Sequence, residues 1–160
     1  MKLSVALAQI NPTVGDLNGN SALIMNSVAE AKKAGAHIIV FPEMIVTGYP
    51  VEDLALRPSF QDASIMAVEK IASQISDDIV AVVGYLDHGP QNAVAVIHEG
   101  KIKARYVKRH LPNYGVFDEF RNFTPGTSDL VVRIHGVDVA VAICEDIWHS
   151  MASIAARTPG

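Results

Sequence analysis

Two short apolar runs flanking an amphipathic stretch constrain this chain most. Leu3–Ala8 is apolar on both alternating faces, the pattern of a strand covered on both sides. In SALIMNSVAEAKKAGA (residues 21–36), Leu23, Ile24, Val28 and Ala31 recur at helical spacing, and Gly35 supplies a C-terminal stop before HIIVF. Together they predict a β-α-β unit. FQDASIMAVEKIASQISDD repeats the helix, with Phe60, Ala67, Val68, Ile71 and Ile75 on one stripe, and the apolar run IVAVVGYL follows. The pattern then changes. NAVAVIHEGKIKARYV predicts two strands joined at a Gly100 turn, and LVVRIHGVDVAVAI repeats the arrangement around Gly136. The expectation is a mixed α/β layered fold with one buried sheet face, without repeats, low-complexity tracts or linkers.

A chain of 160 residues suits one domain, and 49% hydrophobic with 19% charged residues is the balance of a globular protein. The net charge of -4 offers no general attraction to phosphate backbones or anionic lipid, and KIKARYVKRH is the only local basic cluster. Nucleic acid and membrane surfaces are therefore not expected partners. The N-terminal apolar run is shorter than the roughly 7–15 residues of a signal-peptide core and runs into Gln9, Asn11 and Pro12. No stretch approaches the length of a membrane-spanning helix, so a soluble protein is expected. A lone cysteine cannot form an internal disulfide, which fits a reducing cytoplasm.

Two segments follow neither period: PEMIVTGYPVEDLALRPS (residues 42–59) and KRHLPNYGVFDEFRNFTPG (residues 108–126). Long aperiodic stretches in a compact domain are uncommon unless they carry function, and loops at strand ends are where α/β folds place their sites. Glu43 opens the first segment and Lys108 the second. Cys144 closes the apolar run VAVAI and is followed at once by Glu145 and Asp146, which places it at a strand-to-loop junction. A thiol beside a carboxylate base, with a lysine nearby, is the equipment of a covalent amide hydrolase. At its usual pKa only about 3% of a thiol is ionised at pH 7, so it needs a base, for which Glu43 is the candidate, or a cation, for which Lys108 is the candidate.

Each residue also has an ordinary reading. A free cysteine is commonly a small buried hydrophobe, Glu43 and Glu119 could be solvated acids, and Lys108 sits among surface-type cations. A cysteine–histidine hydrolase using His110 or His149 lacks a papain-type or caspase-type signature. No HxxxH, HxH or CxxC pair suggests a metal, and neither GVDVAVAI nor VVGYL is a phosphate-binding loop.

Taken together, FPE at Glu43, KRHLPNYGVFDEFRNF from Lys108 and ICEDIW at Cys144 resemble the nitrilase superfamily of carbon-nitrogen hydrolases. Within it, VTGYPVEDLALRPSF, LPNYGVFDEFRNFTPG and CEDIW look most like the glutaminase domains of the glutamine-dependent NAD synthetase family. The resemblance implies an αββα sandwich with a Glu-Lys-Cys catalytic set: Cys144 as nucleophile, Glu43 as general base and Lys108 as oxyanion stabiliser. It further implies the backbone N–H of Glu145 in the oxyanion hole, Glu119 as an additional active-site carboxylate, and Tyr49 and Tyr114 lining a glutamine pocket. The implied reaction releases ammonia from glutamine through a thioester and needs no cofactor or metal. ATP and an NAD precursor would bind a synthetase partner domain outside this chain, and the complete enzyme is expected to be a homo-oligomer. After Trp148 the sequence runs through HSMASIAARTPG, so that residues 1–160 are expected to be one hydrolase domain, truncated soon after the nucleophile strand. Two alternatives stay open: a stand-alone amidase of the same superfamily acting on another small amide, and a non-catalytic fragment.

Overall fold

The computed structural model describes residues 2–149. Its main sheet has five strands in the order β1 (Val5–Leu7), β2 (Ile38–Val40), β3 (Val80–Asp87), β4 (Gln91–His98) and β5 (Lys101–Val107). The first three are parallel, with Val5 opposite Ile38 and Ile38 opposite Val80, and the last two run antiparallel as hairpin partners. Parallel neighbours need a crossover, and α1 (Leu17–Lys33) and α2 (Pro58–Gln74) supply it. Both helices lie on one face of the sheet, where Ile24, Val28, Val68 and Ile71 pack on Ile39, Ala81 and Val83.

Local signals explain the boundaries. Asp16 caps α1 by accepting a hydrogen bond from the Gly19 N–H at 2.8 Å. At the other end Gly35 is left-handed (φ 72°), the Gly35 N–H donates to Lys32 and the Ala36 N–H to Ala31, which closes the last turn as the glycine predicts. The turns after β4 and between β6 (Leu130–Ile134) and β7 (Val137–Val141) each place two residues at positive φ, Glu99–Gly100 and His135–Gly136, as a two-residue hairpin requires.

The expectation of one buried sheet face is corrected. The β6–β7 hairpin covers the second face, setting Ile134, Val141 and Ile143 on Ile38, Val80, Val94 and Val96, so β3 and β4 are enclosed on both sides. Each such side chain contributes roughly 1.5–3 kcal/mol when fully buried. The described residues thus form a helical layer and two apposed sheets, the mixed α/β arrangement expected of a nitrilase-like sandwich. Residues 150–160, where the sequence leads to an expected break in the fold, lie outside the described residues.

Two smaller expectations also change. Strand β1 is an edge strand that the hairpin does not reach, leaving Val5 49% and Leu7 71% exposed rather than covered. The buried line of α1 is Asn20, Ile24, Val28 and Ala31, while Leu23 faces outward. Asn20 is buried because its amide is satisfied, donating to the carbonyls of Thr13 and Val46 and accepting from the Thr13 N–H. Among the described residues, no helix is long and apolar enough to cross a membrane.

Candidate active site

Both aperiodic segments leave the main sheet at strand ends and are tied back to it by backbone contacts. After β2 the chain turns through Glu43 with Met44 in the left-handed region (φ 54°), and the Val46 N–H returns to the Gly84 carbonyl at 3.1 Å. This turn lies so close to β3 that a Cβ on Gly84 would stand 2.5 Å from the Met44 nitrogen, so the position requires glycine. Far from being an open loop, the segment buries Met44, Ile45, Val46, Val51 and Ala55 completely or nearly so. Lys108 follows β5, its N–H donating to the Asn92 carbonyl at 2.9 Å and its carbonyl accepting from the Gly126 N–H at 2.8 Å.

The Lys108 side chain is fully buried, which rules out the solvated reading. Its Nζ donates to Glu43 Oε1 at 2.7 Å and to Glu119 Oε1 at 2.9 Å. Burial works against the ammonium charge, but the two carboxylates outweigh it and hold the pKa above the ordinary lysine range. Glu119 stands at the start of the short helix α3 (Glu119–Asn122) and is only 2% exposed. Burial pushes its carboxyl pKa up in spite of the Lys108 ammonium. The Tyr49 hydroxyl donates to Glu119 Oε1 at 2.9 Å, and burial together with that carboxylate raises the phenol well above its usual range. Asn92, which sequence reasoning passed over, donates from Nδ2 to Glu43 Oε1 at 2.6 Å.

Cys144 comes to the same place from the other sheet. Beyond β7 the chain extends through Ile143, and Cys144 adopts φ 45° to open a tight turn, Cys144–Trp148. A non-glycine residue held at positive φ costs about 1–3 kcal/mol and persists only where its surroundings over-determine it. Asp146 supplies that determination. Its Oδ2 accepts from the Ile143 N–H at 3.0 Å and the Tyr106 hydroxyl at 2.7 Å, and its Oδ1 from the N–H groups of Arg109 and His110 at 3.1 and 2.9 Å. One carboxylate thus joins the cysteine turn to the residues just after Lys108. Burial opposes its ionisation, yet these donors hold its pKa below the ordinary range.

Partial burial of the thiol and the charge of the neighbouring Glu43 raise its pKa, and the opposing Lys108 charge does not make up the difference. Lys108 thus acts on the thiol in the direction expected of a nearby cation, with its charge shared between two carboxylates. The thiol is therefore protonated at neutral pH, with the Glu43 carboxylate among the charges that act on it.

The remaining candidates are arranged around this cluster. A cavity of about 160 Å³ is lined in part by Tyr49, Val51, Val116, Phe117, Glu119 and Asn122. Tyr114 is more than half exposed, and its hydroxyl donates to Glu145 Oε2 at 2.7 Å. His110 faces Asp146 at 3.0 Å and stacks on His149 with ring centroids 4.0 Å apart, while His149 lies 3.6 Å from Glu145. The largest charge effects on the thiol come from Glu43, Lys108 and Glu119. Among the described residues, no group of three or more His, Cys, Asp or Glu side chains is placed to hold a metal ion.

Asn92 and Asp146 were missed for identifiable reasons. Asn92 carries a weak signal, an amide at the head of the otherwise apolar run AVAVI. Asp146 offers none, since an acid two residues after a cysteine looks like an ordinary surface charge.

A thiol, two carboxylates and a buried ammonium gathered at the strand ends of a layered α/β fold define an enzyme equipped for acyl transfer. The chain belongs to the carbon-nitrogen hydrolase family, which matches it over residues 4–160. Over 99% of its length it is 41% identical to the glutamine-dependent NAD(+) synthetase of Thermotoga maritima, and over 92% it is 42% identical to that of Aquifex aeolicus. Among solved structures, a glutamine-dependent NAD+ synthetase from Acinetobacter baumannii in complex with ADP superposes with a TM-score of 0.83 at 39% identity over 96% of this chain. An amidase from Nesterenkonia sp. shares the fold, with a TM-score of 0.77 at 24% identity over 91% of this chain. The chain spans 28% and 26% of the two curated synthetases, 30% of the Acinetobacter chain and 56% of the amidase.

Proposed function

We propose that this chain is the glutamine-hydrolysing domain of a glutamine-dependent NAD synthetase and that it releases ammonia from the side-chain amide through a thioester on Cys144. The observation that carries the reading is the convergence of Glu43, Lys108 and Cys144, from three separate segments, in one cluster around the buried lysine. The synthetase relatives supply the substrate class.

In this mechanism Glu43 takes the thiol proton as Sγ bonds to the amide carbon. The carbonyl π electrons move to oxygen, where the Lys108 ammonium and the Glu145 backbone N–H stabilise the oxyanion. Glu43 passes the proton to the departing nitrogen, the C–N bond breaks, and ammonia leaves a γ-glutamyl thioester. Glu43 then deprotonates a water that attacks the thioester, giving glutamate and regenerating the thiol. Glu119 holds the Lys108 ammonium in place, and Tyr49, Tyr114 and Glu145 bound the substrate pocket. The step uses no cofactor or metal. ATP and the NAD precursor would be handled by a synthetase domain outside this chain, in a cytoplasmic homo-oligomer.

The test compares purified protein on glutamine, asparagine and simple aliphatic amides, following glutamate and ammonia release. Glutamine is expected to be preferred by kcat/KM by at least about tenfold, the discrimination that extra binding contacts provide. A preference for simple amides would support the stand-alone amidase instead.

A further inference from the structure

Asn92 opens β4 beside the cluster, is only 1% exposed, and has no assigned part in the chemistry. Its Nδ2 donates to Glu43 Oε1 at 2.6 Å, and Lys108 Nζ donates to that same oxygen at 2.7 Å. Among the described residues, the other side-chain atom of Asn92, Oδ1, is buried and has no hydrogen-bond partner. The amide's carbonyl therefore gains nothing at this site, and its contribution is the N–H that it aims at the carboxylate. Two donors converging on Oε1 fix the rotation of the Glu43 carboxyl group and leave Oε2 as the oxygen free to face a proton donor. The backbone carbonyl of Asn92 also accepts from the Lys108 N–H at 2.9 Å, so one residue sets the positions of both the carboxylate and the lysine.

We infer that Asn92 is a positioning residue for the general base, holding Glu43 by one oxygen so that the other receives the Cys144 proton. The inference rests on the proposed role of Glu43. A neutral amide suits this part because it orients the carboxylate without adding charge, where a lysine or arginine would compete with Lys108 and an acid would repel Glu43.

The test uses the full chain with Asn92→Ala and Asn92→Asp, alongside Glu43→Gln, with kcat and KM for glutamine hydrolysis measured for each. Asn92→Ala is expected to lower kcat by about tenfold to a hundredfold, part of what a positioned base supplies, with KM little changed. Asn92→Asp keeps the side-chain shape and should lower kcat further, since a second carboxylate then faces Glu43 in place of a donor, again with KM little changed. Circular dichroism and thermal unfolding check that both variants are folded, and the isosteric Asp variant still tests the point if the Ala variant is not. Unchanged kcat, or a loss confined to KM, in folded Asn92 variants, with Glu43→Gln inactive, would overturn the inference while leaving the role of Glu43 standing. Normal turnover by Glu43→Gln would instead remove the base assignment and the inference with it.

Discussion

The carboxylate–lysine cluster and the cysteine turn meet in one site but are built in opposite ways. Lys108 and Glu119 are buried within a network of short hydrogen bonds, and the segment that carries Glu43 packs its Met44, Ile45 and Val46 into the core. Cys144 sits on an exposed turn held mainly by Asp146, with Ile147 and Trp148 standing in solvent beyond it. Stability and chemistry are therefore coupled on one side of the site and separable on the other. A fixed cluster of charges waits for the substrate, and the nucleophile reaches it from a surface turn.

The largest effect that sharpens this contrast is expected from Cys144→Ala. Glutamine hydrolysis should fall by on the order of 10⁴-fold or more, as for loss of a covalent nucleophile. The unfolding midpoint should barely move, within about 0.5 kcal/mol, because the side chain is exposed. An assay for glutamate with a parallel thermal melt reads both, and a marked loss of stability would break the contrast.

Lys108→Met comes next and should damage both properties. It leaves the buried Glu119 and the partly buried Glu43 without their cation, at a cost of about 3–5 kcal/mol, and removes the proposed oxyanion donor, worth at least about a hundredfold in rate. Denaturant unfolding with steady-state kinetics on the folded fraction separates the two. A Lys108→Met protein as stable as the parent would show that the cluster is not the rigid side of the site.

Asp146→Ala should fall between these extremes, costing about 3 kcal/mol as several donors lose a shared acceptor. The rate should drop because the cysteine turn comes away from the residues after Lys108. The folded pKa of Asp146 is depressed, so the stability it provides is fully present above about pH 4 and is lost as pH falls through that depressed value. Parent and variant melting curves should therefore converge in acid, and a constant difference down to low pH would contradict the clamp.

The smallest effect concerns the thiol itself. Burial and Glu43 raise its pKa, so alkylation by a neutral reagent should increase with pH past the ordinary thiol value of about 8.5. In Glu43→Gln the midpoint should move down, because a negative charge has been removed. A midpoint that stays in place would mean that the carboxylate does not act on the sulfur.

Much of this fold is legible in the sequence, because its helices and hairpins are punctuated by residues with a physical reason to be there. Gly35, Gly100 and Gly136 each occupy the positive-φ position that their turn requires. Glu43 and Cys144 stand out because each ends an apolar run, which is how a side chain is delivered to the edge of a sheet, and Lys108 because it opens an aperiodic segment. The fate of the residues after Glu43 was not legible. Their aperiodicity marks where the chain leaves the strand, but only the close approach to Gly84 shows that it folds back into the core. The second covered sheet face was hidden for a similar reason: which side the β6–β7 hairpin lies on depends on packing across the chain. Asn92 and Asp146 gain their meaning only from partners 49 and 36–40 positions away.

The central claim is that the thiol of Cys144, working with the Glu43–Lys108 cluster, is the group that attacks the amide. Incubation with an electrophile shaped like glutamine, followed by intact mass and peptide mapping, tests it most directly. The account predicts a single adduct on Cys144, slowed by Glu43→Gln and prevented by excess glutamine. An adduct on another side chain, or none on a protein that still hydrolyses glutamine, would contradict it.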